Sequence, residues 1–145
     1  MARRRNKGDL HNADGEQISE GKRQTLFESF ANAWNGIRIS LWEERNLKIH
    51  CFAAMLVVFF GVILNISKEE WIICFALFGL IMGLELVNTA VENVVDLVTD
   101  EWKELAGKAK DCAAGAVLIA SFWAALAGAT IFFPKLYRFI VSLLG

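Results

Sequence analysis

Three apolar runs govern what this chain can become. The first extends from Ile49 to Ile66, interrupted by His50 and Asn65 near its ends; the second is apolar from Trp71 to Leu84 and goes on as a mixed segment to Val98; the third extends from Cys112 to Pro134. Each is long enough to cross a hydrocarbon layer about 30 Å thick, which takes roughly 20 helical residues. Backbone N–H and C=O groups in lipid have no water to bond, so they must pair within the segment, and helix is the state that does this. An all-α integral membrane protein is therefore expected. The 145 residues amount to one domain, and a 55% hydrophobic content with a single proline is too apolar for a soluble domain of that length.

The formal net charge of -1 hides a strong asymmetry, because nine of the fifteen Lys and Arg lie at or before Lys48. With the N-terminus inside, the inner side carries those nine plus Lys103, Lys108 and Lys110, against Lys68, Lys135 and Arg138 outside. The positive-inside rule then places the N-terminus and the loop 100–110 on the cytoplasmic face of the membrane. No nucleic-acid partner is expected. Residues 1–24 have no apolar core, which excludes a signal peptide, and read as a disordered polar tail or a basic tether to anionic lipid. Cys51, Cys74 and Cys112 have no metal or redox spacing and read as small packing residues.

Ahead of the first span, Leu26, Phe27, Phe30, Trp34, Ile37 and Leu41 fall on one side of a helical wheel, with Glu28, Asn32, Asn35 and Ser40 off it. The pattern predicts an amphipathic helix over 25–47 lying in the cytoplasmic interface, with a partner-binding helix as the alternative. The spans are expected at 48–66, 71–98 and 110–134.

The stretch "LELVNTAVENVVD", Leu84 to Asp96, continues the second run and yet carries three carboxylates. At about 100° per residue, Glu85, Asn88, Thr89, Glu92 and Asp96 share one stripe, opposite Leu86, Val87, Ala90, Val94, Leu97 and Val98. Counting about 1.5 Å per residue from Trp71, Glu85 lies roughly 21 Å along the axis and Glu92 about 31 Å. Glu85 is thus inside the hydrocarbon layer toward its inner third. A charge at the centre of a span costs on the order of 2.5–3.5 kcal/mol. Hydrogen-bonded helix packing accounts for Asn88 and Thr89. Three carboxylates repel one another and call for a cation, a proton or both.

Glu44 and Asn46 stand at the inner end of the first span, and Lys110 and Asp111 at the inner end of the third. Carboxylates with Asn and Lys suit Mg²⁺ carrying a nucleoside triphosphate, since this hard cation takes one or two carboxylates plus phosphates and keeps several waters. No Walker A loop is present, because "LAGKAK" lacks the upstream glycine at the needed spacing. Two other classes remain open on these residues: a small ion or proton channel, and a structural membrane subunit whose polar stripe mates with another protein. His50 reads equally as a member of the site and as a simple interfacial histidine.

The segments "AWNGI" (Ala33 to Ile37), "ERNLKIH" (Glu44 to His50), "ELVNTAVENVVDLV" (Glu85 to Val98) and "AKDCAAGAVLI" around Lys110 resemble the successive motifs of the prokaryotic diacylglycerol kinase and undecaprenol kinase family. The resemblance covers about residues 25–133. It implies an ATP- and Mg²⁺-dependent lipid kinase with a surface helix and three spans per subunit, assembled as a homotrimer with active sites shared between neighbours. Carried over by motif position, it implies that Glu85 is the base that takes the lipid hydroxyl proton and that Glu44 and Glu92 bind the metal. With those two, Asn88, Lys110 and Asp111 would hold ATP, and Trp34, Asn46, His50 and Asp96 would belong to the lipid-facing or site network. "RN" followed by "IH", and the run "DLVTDE", are more similar to the undecaprenol kinase branch than to the proteobacterial diacylglycerol kinases, which tend to have a Glu at the place of His50. Near Thr25 the chain departs from the latter, which have an arginine that contacts ATP; Lys22 or Arg23 is the substitute on offer.

Overall fold

The structure, a computed structural model, describes residues 25–99 and 101–144, and all regular structure among them is helical. The expected tail over 1–24, with Lys22 and Arg23, lies outside the described residues. Four helices follow in order: α1 (Leu26–Glu43), α2 (Arg45–Ile63), α3 (Lys68–Val98) and α4 (Glu104–Leu144). The last three are long and apolar enough to cross a membrane. The chain divides into two compact units at Asn35/Gly36, within α1.

In the first unit, α1 opens on a reciprocal cap. The Thr25 N–H donates to Glu28 Oε2 at 2.8 Å, and the Glu28 N–H donates to Thr25 Oγ1 at 3.2 Å. This pairing satisfies two donors that a helix start leaves without intrahelical partners. The Thr25 backbone N–H, and after it the Thr25 hydroxyl, hold the Glu28 carboxyl below its ordinary value. Leu26, Phe27, Phe30 and Trp34 are all exposed.

In the second unit, the helix expected over 25–47 ends at Glu43. Glu44 takes extended dihedrals (φ -86°, ψ 120°) as the N-cap of α2, and Lys48 Nζ reaches back to the Trp42 carbonyl oxygen at 2.6 Å. A lysine near a helix C-terminus satisfies a carbonyl the helix itself leaves open. The break therefore precedes the apolar run and was invisible to the periodicity on either side. Ser40, on the polar side of the wheel, is the buried residue of α1.

The α2–α3 turn is built from two complementary caps. Asn65 adopts a left-handed φ of 48°, the Ile66 N–H bonds the Gly61 carbonyl at 3.1 Å and the Asn65 N–H bonds that of Val62 at 3.2 Å, the Schellman arrangement. Ser67 then caps α3: its Oγ accepts from the Glu70 N–H at 3.2 Å, while the Glu70 carboxylate accepts from the Ser67 N–H at 2.6 Å. Trp71 lies half-buried against Gly61, where an added Cβ would stand 2.7 Å from the indole. Ile66, Cys74 and Ile131 form the small core at this end, with Val57, Phe78 and Phe132 packed on it.

Helix α3 is the element against which both α2 and α4 pack. Its partnership with α4 is antiparallel, pinned by Glu70–Lys135 at 3.0 Å near one end and Asp96–Lys110 at 2.6 Å near the other. The two ion pairs stand 26 residues apart on α3, about 39 Å of helix. They bracket a hydrocarbon layer of about 30 Å. α4 starts six residues before the expected span and continues ten past Pro134. Proline removes a single N–H and leaves the Thr130 carbonyl without its helical donor. The apolar residues beyond it carry the helix on, as membrane segments allow.

Candidate active site

The buried stripe of α3 changes character along its length. Cys74 is followed on the same face by Ile81, Glu85 and Asn88, seven, eleven and fourteen residues on, with Thr89 beside them. The same helix face is thus apolar near the α2–α3 turn and polar near the start of α4. Glu85 is 3% exposed, Asn88 7% and Thr89 6%. Burial then falls away: Glu92 is half-buried and Asp96 exposed.

Each polar group on the stripe has a defined partner. His50 Nε2 on α2 lies 3.1 Å from Glu85 Oε1. The Thr89 hydroxyl donates back to the Glu85 carbonyl at 3.0 Å, a local bond that leaves the Glu85 carboxylate untouched. The Asn88 amide donates to Glu92 Oε1 at 2.8 Å. Lys110 Nζ, at the start of α4, donates to Asp96 Oδ1 at 2.6 Å. Two buried acceptors meet no donor among the described residues: Asn88 Oδ1 and the hydroxyl of Ser121.

Around Glu85, three helices border an open cavity of about 530 Å³. α2 supplies Asn46, Ile49 and His50; α3 supplies Glu85 and Asn88; α4 supplies Asp111, Gly115 and Ser121 among others. A second, apolar groove of about 500 Å³ runs on from it, and His50 and Ser121 line both. Five of the residues singled out from sequence therefore meet at one cavity: Asn46, His50, Glu85, Asn88 and Asp111. Glu44, Glu92, Asp96 and Lys110 do not line it, and Trp34 belongs to the first unit. Ser121 was missed. It stands eleven residues past Lys110, about 20° from the same face of α4, and is a hydroxyl in an otherwise apolar stretch, a signal that was available.

The donor set bears on whether Mg²⁺ suits these residues. Among the described residues no three His, Cys, Asp or Glu side chains gather as a ready-made cage. The Glu44 carboxylate caps nothing on α2. Glu92 has one oxygen on the Asn88 amide and a second oxygen not so engaged. Hard oxygen donors offered one or two at a time fit an ion that completes its shell with phosphate and water, and do not fit a structural metal.

Residues 31–132 match the family described as prokaryotic diacylglycerol kinase. The undecaprenol kinase of Bacillus subtilis (strain 168) is 44% identical over 111 residues, spanning 77% of this chain and 90% of that protein. The diacylglycerol kinase of Synechocystis sp. is 39% identical over 117 residues, spanning 80% of this chain and 67% of its own length. That of Escherichia coli (strain K12) is 32% identical over 95 residues, spanning 66% and 78%.

Proposed function

Since this chain belongs to the prokaryotic diacylglycerol kinase family and is a membrane lipid kinase, we propose that its acceptor is undecaprenol, phosphorylated by ATP to undecaprenyl phosphate. The observation that carries the reading is Glu85, a carboxylate 3% exposed on an apolar helix, bordering a cavity between three helices that opens into an apolar groove. A primary alcohol is a poor nucleophile, so phosphoryl transfer needs a base within hydrogen-bond reach, fixed alignment and charge neutralisation. Glu85 is the base. Its depth is where a hydroxyl on a bilayer-borne tail arrives.

Glu44 and Glu92 would hold Mg²⁺, which when bound neutralises charge on the triphosphate. Asn88 fixes Glu92 through the 2.8 Å amide bond, and Asp111 and Asn46 orient groups entering the cavity. Lys110 leaves Asp96 for the phosphates; with 37% of its side chain exposed, this exchange is cheap. The active form is a homotrimer with sites shared between neighbours. In support, Glu44 does not line the cavity of its own chain, and Gly79 and Gly83 on α3 face open space within one subunit. The N-terminus and the site lie on the cytoplasmic side, which the lysine and arginine distribution favours.

Undecaprenol is favoured by the 44% identity across 90% of the Bacillus protein. Diacylglycerol, giving phosphatidate, is the second reading, carried by the Synechocystis relative at 39%. Purified protein assayed side by side with Mg-ATP and each lipid decides between them: preferential undecaprenol phosphorylation is expected, and a preference for diacylglycerol overturns the choice. ATP turnover with neither lipid would overturn both.

A further inference from the structure

The Glu85 carboxylate is 4% exposed, and a carboxylate so buried is costly unless a donor faces it. Among the described residues the side-chain nitrogen set against it is His50 Nε2, 3.1 Å from Oε1. Three other donors are engaged elsewhere, the Asn88 amide on Glu92, the Thr89 hydroxyl on the backbone and Lys110 on Asp96, while the Ser121 hydroxyl and the Asn46 amide line the cavity with no bond to the Glu85 carboxylate. Asp111, across the same cavity, has no proton to give when ionised.

We propose that His50 is the positioning residue for Glu85: its Nε2–H holds Oε1, so that Oε2 is presented to the acceptor hydroxyl. The inference rests on Glu85 being the base. In the step it serves, the alcohol O–H breaks and its proton passes to Glu85 Oε2. The alcohol oxygen bonds the γ-phosphorus as the bond from that phosphorus to the β–γ bridging oxygen breaks, and the nucleoside diphosphate leaves with that electron pair. The placement of His50 favours this role, because it lines both the polar cavity and the apolar groove. An alcohol whose tail lies in the groove passes His50 before its oxygen reaches Glu85.

The test compares His50→Ala, His50→Asn and His50→Gln in the full-length chain, alone and with Glu85→Gln, in mixed micelles with Mg-ATP and either a short polyprenol or dioctanoylglycerol. A glutamine amide reaches about as far as Nε2, whereas that of asparagine stops short. His50→Ala and His50→Asn should each lower kcat about 10- to 100-fold with the KM for ATP little changed. His50→Gln should stay within roughly threefold of the parent, a rescue that a bond of about 1 kcal/mol retained would give. Adding His50→Ala to Glu85→Gln should cost nothing more, since the pair acts as a unit. Equal activity of the Asn and Gln variants, or a full further loss in the double variant, overturns the inference even if the Ala variant fails to assemble. An active His50→Ala beside a dead Glu85→Gln removes His50 alone; an active Glu85→Gln removes the base assignment on which it rests.

Discussion

Asn88 gives an amide hydrogen to Glu92 Oε1 at 2.8 Å, one turn on along α3, while its own carbonyl oxygen is buried and meets no donor among the described residues. One side chain thus holds a half-buried carboxylate in place and keeps an unfilled acceptor at the cavity. An unfilled buried acceptor lowers stability, a cost that a ligand or water donating to it would offset. Asn88→Leu removes the orphan at similar volume. Thermal stability in detergent should hold or rise, while lipid-kinase activity falls about 10- to 100-fold through the freed Glu92. Unchanged activity would detach Asn88 from the site.

Glu92→Gln separates charge from shape. The glutamine carbonyl still accepts from Asn88, so the α3 stripe keeps its packing and the variant should purify and melt as the parent does. A metal-binding carboxylate cannot be replaced by an amide without losing most of its attraction for Mg²⁺. Turnover should fall by about two orders of magnitude or more, with partial recovery at raised Mg²⁺. Substantial turnover at ordinary Mg²⁺ would take Glu92 out of the metal site.

How far the fold and site were legible follows from the range of the forces involved. The three long helices and the stripe from Glu85 to Asp96 are local consequences of periodicity and could be read directly. Glu44 as a helix break could not, because it depends on Lys48 reaching back to Trp42 rather than on any breaker residue. The length of α4 beyond Pro134 was hidden because proline is a stop signal in water and a tolerated interruption in lipid. The pairs His50–Glu85 and Lys110–Asp96 depend on the register between helices, set by packing across α2, α3 and α4. Sequence named all four of these residues; it could not say which one faced which.

The Lys110–Asp96 pair tests whether Lys110 is held in reserve. With 37% and 63% of the two side chains exposed, the pair is worth no more than about 1 kcal/mol. Asp96→Asn should leave stability nearly unchanged and, by releasing Lys110, lower the KM for ATP by up to about fivefold. Lys110→Met should raise that KM and reduce kcat. Opposite signs for the two variants are the expected result of an ATP titration, and a rise in KM with Asp96→Asn would mean that Asp96 itself helps to hold the nucleotide.

The α2–α3 turn should govern stability without touching chemistry, because it precedes α3, whose first residue, Lys68, stands 17 residues, about 26 Å of helix, before Glu85. A Cβ at Gly61 would stand 2.7 Å from the Trp71 ring, wedged also against Ile66, so Gly61→Ala must push the indole away. Overpacking of this kind costs about 1–3 kcal/mol. At Asn65, whose φ is 48°, glycine adopts the same backbone freely, whereas valine pays roughly 1–2 kcal/mol for a left-handed conformation. Thermal unfolding in detergent should therefore rank Asn65→Gly near the parent and Asn65→Val and Gly61→Ala below it. Activity per folded molecule should stay equal in all of them, since none alters the helix register that joins His50 to Glu85. A loss of kcat in Gly61→Ala out of proportion to its loss of folded protein would show that the turn does set that register, and that α2 reaches the site through a lever anchored at Trp71.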